Sequence, residues 1–174
     1  MNPDINELYK EHGKYVYNIA YRMLSNSSDA EDVCHDVFMK LQTGLSSFNG
    51  NSAIKTYIYR ITVNQSIDYI RKQQSLSSRA EKSVDRISGA SKTKDDTLIL
   101  DNLLNLIDPQ SRACILLYEV GGFSQKEIAR IMNTRTGTVK SRISRSIKKM
   151  SEHLEKEDSK NALQKRNTIL LPER

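Results

Sequence analysis

FSQKEIARIMNTRTGTVKSRISRSIKKM, residues 123–150, is the stretch that decides the fold. Ser124 followed by Glu127 is a capping box, the reciprocal pairing that starts a helix. Ile128, Ala129, Ile131 and Met132 supply its apolar face. Asn133-Thr134-Arg135 makes a short turn. A second helix is predicted from near Thr136, with Val139, Ile143, Ile147 and Met150 packing inward. Two short helices joined this way form a helix-turn-helix, and Ala129 is small where they must cross. The outward face of the second helix carries Arg135, Thr136, Thr138, Lys140, Ser141, Arg142, Arg145 and Lys148. From Lys126 to Met150 there are eight cations and one acid. A merely solvated face mixes signs. This one suits a DNA major groove, with polar side chains reaching base edges and flanking cations meeting phosphates.

Upstream, Asp108-Pro109 reads as a cap and first helical position, and that helix must stop at Gly121-Gly122. Leu98, Leu100, Leu103, Leu104 and Ile107 mark one more helix before it. Residues 73–96 hold six serines, mixed charge and little apolar periodicity, the composition of a flexible linker. Before it, three helices are expected. The first starts at an Asn2 cap and carries Ile5, Leu8, His12, Tyr15, Val16, Ile19 and Met23. The second starts at a Ser28–Glu31 capping box and carries Ala30, Val33, Cys34, Val37, Phe38 and Leu41. The third runs from about Ala53 to Arg71 with Ile54, Ile58, Ile61, Gln65 and Tyr69 inward. The expected fold is all-α: two small helical domains, 1–72 and 97–154, tethered loosely by the linker 73–96, the second a helix-turn-helix. A charged tail, 155–174, should fray.

The charge follows this division. The net +6 of the 174-residue chain arises almost wholly from residues 98–150, with nine cations and four acids; residues 1–72 have eight of each. A local basic excess is the electrostatic footprint of a nucleic-acid binder. In the first domain Asp29, Asp32 and Asp36 share one helix face beside Glu31. Early acids also suit the helix dipole, so the cluster reads either as ordinary helix chemistry or as a docking face for a basic partner. Lys55, Tyr57, Tyr59, Arg60 and Asn64 interleave aromatics with cations, a pattern suited to stacking unpaired bases while holding their backbone. Either tyrosine could equally be core. The neighbouring loop with Phe48 and Asn49 is polar enough to line a base pocket.

No nucleophile elbow, phosphate loop, H-E-x-x-H or paired-cysteine motif occurs. No catalytic residue, cofactor or metal site is expected. No apolar run spans a bilayer and no secretory signal is visible, so a cytoplasmic protein is expected.

These segments together resemble the extracytoplasmic-function group of bacterial sigma factors. Asp29 to Phe38 resembles that group's D-A-E-D-x-x-Q-E-x-F stretch. Tyr57 to Arg71 is similar to its W-L-Y-R-I-A-x-N-x-x-x-D-x-x-R helix. Gly122 to Ala129 and Gly137 to Arg142 resemble its G-x-S-x-x-E-I-A and G-T-V-K-S-R elements. His35 stands where Gln is usual, Tyr57 where Trp is, and Asn133 at the usual turn Gly, a backbone region Asn tolerates. The resemblance implies docking of Asp29, Asp32, His35 and Asp36 on the clamp helices of core RNA polymerase. It implies reading and melting of the −10 element by the third helix and its loop. The −35 element would be read by Arg135 to Arg145, with the second domain touching the polymerase flap. Promoter DNA and core polymerase are thus the implied partners. An anti-sigma or recruiting protein is a further partner class for such a group. The competing readings are an autonomous helix-turn-helix regulator and an RNA-binding protein.

Overall fold

The computed structural model describes residues 4–45, 53–79 and 95–169, with side chains described over 4–45, 53–76 and 99–157. Seven helices occur among them: α1 (Ile5–Leu24), α2 (Ser27–Gly44), α3 (Ile54–Arg79), α4 (Asp95–Asn105), α5 (Pro109–Glu119), α6 (Gln125–Ile131) and α7 (Thr136–Ile169). The described residues form no strand, so the all-α expectation is met.

Local chemistry sets the helix ends. Asp4, not Asn2, caps α1, its carboxylate accepting from the Asn6 N–H. Ser25 then takes a left-handed conformation, φ 56°, and turns the chain directly into α2. Because the reversal is so tight, α2 begins at Ser27 and Asn26 is its cap, accepting from Asp29 N–H; the expected Ser28–Glu31 box lies too far along the chain to start the helix. Asp108 caps α5 as expected, with Pro109 at its start. Gly121 and Gly122 follow. Gly122 has φ 68°, and a Cβ on Gly121 would stand 2.7 Å from the Leu117 carbonyl, so the turn requires glycine there.

Asp108 supports one measurable expectation. Burial acts to raise its pKa, but hydrogen bonds from Ser111 and the Arg142 charge outweigh it, and the net shift is downward. A lowered folded pKa contributes stability above the ordinary value of 3.8 that is lost as pH falls through the folded pKa. Asp108→Ala should therefore cost about 1 kcal/mol at neutral pH. The difference from the parent, measured by urea unfolding, should shrink in acid.

The first three helices enclose a core of Leu8, Val16, Ala20, Val33, Val37, Leu41 and Ile58. A second core joins both halves of the chain. Ile19 and Met23 of α1 and Tyr59, Val63 and Ile67 of α3 cluster with Leu104, Ile107, Leu116, Phe123, Ile128, Val139 and Ile143. Apolar side chains of this size each contribute roughly 1.5–3 kcal/mol on full burial. The loose tether is thus corrected: the halves share one apolar cluster. The cause lies in α3, which buries two stripes. Ile54, Ile58 and Ile61 face the first core, while Tyr59, Val63 and Ile67, four residues apart, face the second.

Three further boundaries differ from expectation. Residues 73–79, read as linker, continue α3, and Asp95 and Asp96 open α4; residues 80–94 lie outside the described set. The tail from 155 is helical through Ile169 as part of α7. On α7, Ile147 is exposed and Ser146 is buried, because the stripe set by Val139 and Ile143 reaches position 146 before 147.

Candidate nucleic-acid interface

The helix-turn-helix forms as its chemistry requires. Ser124 N–H and Oγ donate to Glu127 Oε2 at 2.8 and 2.7 Å, and Glu127 N–H donates back to Ser124 Oγ at 3.3 Å. These hydrogen bonds hold the Glu127 carboxyl below its usual pKa. Asn133 takes φ 48°, so the asparagine serves at the tight turn. Ile128, Ala129, Val139 and Ile143 close α6 on α7.

The outward face of α7 is graded. Arg135, Thr136, Lys140, Arg145 and Lys148 are exposed, while Thr138, Ser141 and Arg142 are half-buried. Asn133, Thr134, Arg135 and Thr138 line an open polar depression at the helix start. Arg145 folds back one turn: Nε donates to the Ser141 carbonyl at 3.1 Å and Nη2 to Ser141 Oγ at 3.2 Å. Arg142 points elsewhere. Its Nη1 donates to Gln110 Oε1 at 3.3 Å, and its charge acts on Asp108, the cap of α5, and on Cys114 within that helix. In this conformation it ties α7 to α5. Lys148 pairs with Glu152 at 3.8 Å on an exposed surface, a contact worth little.

On α3 the expected base-stacking residues divide. Tyr57 is half-buried, with the Arg60 guanidinium 5.4 Å from its ring centre, and Asn64 is exposed. Tyr59 is 2% exposed, its ring edge-on to Phe123 at 5.1 Å. Burial, with Tyr15 adding a smaller effect, pushes the Tyr59 pKa up to about 12. Lys55 Nζ donates to the Gly121 carbonyl at 3.1 Å and lies 5.7 and 5.2 Å from the Tyr59 and Phe123 ring centres. Phe48 and Asn49 lie outside the described residues.

The acidic face of α2 is intact. Asp32, His35 and Asp36 are exposed, and Asp29 is half-buried. Asp29 acts on Tyr69 of α3 and, with burial, raises the tyrosine pKa, and Gln73 Nε2 donates to Tyr69 Oη at 3.1 Å. Helical spacing puts Tyr69 on the inward side of α3 but does not reveal that it supports Asp29. Among the described residues no group of three or more His, Cys, Asp or Glu could hold a metal ion. Cys34 and Cys114 are free and buried, and burial raises both thiol pKa values. Among the described residues no helix is long and apolar enough to cross a membrane.

Known families match both halves. The Sigma-70 region 2 model matches residues 8–76, and the Sigma-70, region 4 model matches residues 97–150. The ECF RNA polymerase sigma-E factor of Escherichia coli K12 is 31% identical over 135 residues, covering 69% of this chain and 71% of that protein. This chain belongs to the extracytoplasmic-function sigma factors of the sigma-70 family. The ECF sigma factor SigE of Mycolicibacterium smegmatis is 27% identical over 168 residues, which is 92% of this sigma factor and 65% of SigE. The chain therefore spans just under two thirds of that relative. The sigma factor RpoE of Bartonella quintana, solved with the anti-sigma factor NepR, matches at TM-score 0.72 and 25% identity. That match covers 86% of this sigma factor and 96% of RpoE, so it runs across both halves.

Proposed function

We propose that this sigma factor directs RNA polymerase to specific promoters and assists their melting. Docking uses the α2 face, with Asp32, His35 and Asp36 presented to basic partner groups and Asp29 steadied by Tyr69. The α7 face reads the −35 element: Arg135, Thr136, Thr138, Lys140 and Arg145 meet DNA, with Lys148 at its far end and the flap nearby. Arg142 holds α7 on α5 until DNA competes for it. The α3 face, with Lys55, Tyr57, Arg60 and Asn64, takes the melted −10 strand together with Phe48 and Asn49, while Tyr59, packed on Phe123, supports that face from within. Extruding a base costs a few kcal/mol, similar to what stacking on aromatic groups returns. Bond formation belongs to the polymerase.

The observation that carries this reading is the pairing of two opposed surfaces on one chain. One is the exposed carboxylate face of α2, and the other is the α7 face, where acid first appears at Glu152. Polymerase fixes the distance between the two DNA-binding faces, so two weak contacts act as one bivalent contact. The likeness to a sigma factor solved with its anti-sigma factor supports a holding protein of that kind as a further partner. An electrophoretic assay on promoter duplex separates this function from that of an autonomous regulator. Specific binding should require core polymerase; tight specific binding by the free chain would favour the regulator.

A further inference from the structure

We propose that Ser141 is a positioning residue for −35 recognition: it touches no base itself and aims the Arg145 guanidinium at one. The inference deepens the reading that the α7 face meets the −35 element, and it rests on that reading.

The aim is built along two turns of α7. Thr138 N–H donates to the Arg135 carbonyl at 2.9 Å, and Val139 and Ile143 are buried, so this part of the helix is fixed. Ser141 Oγ donates to the Thr138 carbonyl at 3.0 Å. A hydroxyl has one proton, so this bond sets its direction and leaves only lone pairs. One of them accepts from Arg145 Nη2 at 3.2 Å, while the Ser141 carbonyl accepts from Arg145 Nε at 3.1 Å. Half-buried, with its proton committed to the backbone, Ser141 has no donor left for a base edge. Helical spacing puts it on the DNA face without making it a reader.

Arg145 is the group that this arrangement serves. Its guanidinium is planar and holds its donors in a fixed fork. Nε and Nη2 lie along one edge, and both are turned to Ser141. Nη1 and the second Nη2 proton form the end pair, which no described residue engages. That pair matches the O6 and N7 acceptors of guanine in the major groove. The fold-back also carries the guanidinium toward the start of α7, the part of a recognition helix that meets base edges. A free arginine gives up rotamers when it meets a base, whereas one held at two points has given them up already.

The test uses holoenzyme, the full chain with core polymerase, on duplexes built from a promoter that it selects in host genomic DNA. Each −35 position carries every base pair in turn, and Kd is measured by fluorescence anisotropy at several salt concentrations. Arg145→Ala marks the position that the arginine reads, where base preference disappears. At that position Ser141→Ala should reduce the preference for guanine about threefold to tenfold, the worth of one hydrogen bond. Its salt slope should match wild type, because no cation is removed. Replacing that guanine with 7-deazaguanine, which lacks the N7 acceptor, should weaken wild type more than Ser141→Ala. Ser141→Thr keeps a hydroxyl able to bond the carbonyl one turn back and should restore the preference. In the Arg145→Ala background Ser141→Ala should change nothing further, because a positioning residue acts through the group it positions. Alanine is the stronger helix former, so Ser141→Ala should stay folded, which urea unfolding checks. Full guanine preference in Ser141→Ala overturns the proposal. An additive loss in the double variant also overturns it, since Ser141 would then read DNA itself. In both cases the lost preference of Arg145→Ala leaves the −35 reading standing. Equal binding of wild type to every −35 duplex removes that reading and the inference with it.

Discussion

Asp32→Lys should abolish co-purification with core RNA polymerase while leaving the chain folded. Asp32 is exposed on α2, between the half-buried Asp29 one turn before it and the exposed Asp36 one turn after. As an exposed group its replacement should change stability by no more than about 0.5 kcal/mol. Binding responds very differently. Removing one partner of a hydrogen-bonded charge pair at an interface costs roughly 2–5 kcal/mol, and reversal adds repulsion from the facing cations. Affinity should fall by a factor of roughly 30 or more, since each 1.4 kcal/mol is tenfold. Asp29→Asn should do less, because Asp29 is half-buried and the change removes a charge without reversing it. A pull-down with tagged core enzyme checks both. Normal recovery of Asp32→Lys would remove the docking face from α2.

The second large effect is expected on α7. Arg145→Ala should weaken specific holoenzyme binding to the −35 element by roughly 1–3 kcal/mol and relax base preference there, since it removes a bidentate guanidinium contact. Lys140→Ala should act differently. Removing a cation that meets phosphate lowers affinity on every sequence and reduces the logarithmic salt slope by about one. Arg142→Ala separates a third case. Its guanidinium sits on Gln110 and near Asp108, so the variant should lose stability as well as affinity. Titrations at several salt concentrations, paired with urea unfolding, distinguish the three. Identical salt slopes and base preferences for all three variants would show that the face does not read DNA as described.

Much of this architecture is legible in the residues because short-range chemistry sets it. Asp108-Pro109 and the Ser124–Glu127 box start their helices where expected, and Asn133 supplies the left-handed turn. The α2 cap is not legible, because Ser25 turns the chain so sharply that Asn26 reaches the helix first. The length of α3 is hidden because polar, serine-rich composition argues for a linker while helix propensity over residues 73–79 remains adequate. The union of the two halves is written in α3 as the stripe Tyr59, Val63, Ile67. That stripe is obscured because a second apolar stripe, Ile54, Ile58, Ile61, explains the helix by itself. The candidate site divides along the same line. Exposed charges on α2 and α7 stand where periodicity puts them. Tyr59, Lys55 and Arg142 do not, since each is drawn into a long-range contact that spacing cannot reveal.

The central claim is that this chain gives core polymerase a promoter choice that the core lacks. The direct measurement is run-off transcription on fragmented genomic DNA of the host, with purified core polymerase, with and without the chain, and with 5′ ends mapped. Discrete start sites should appear only with the chain, each preceded by shared −35 and −10 sequences. An identical set of 5′ ends with and without it would contradict the account.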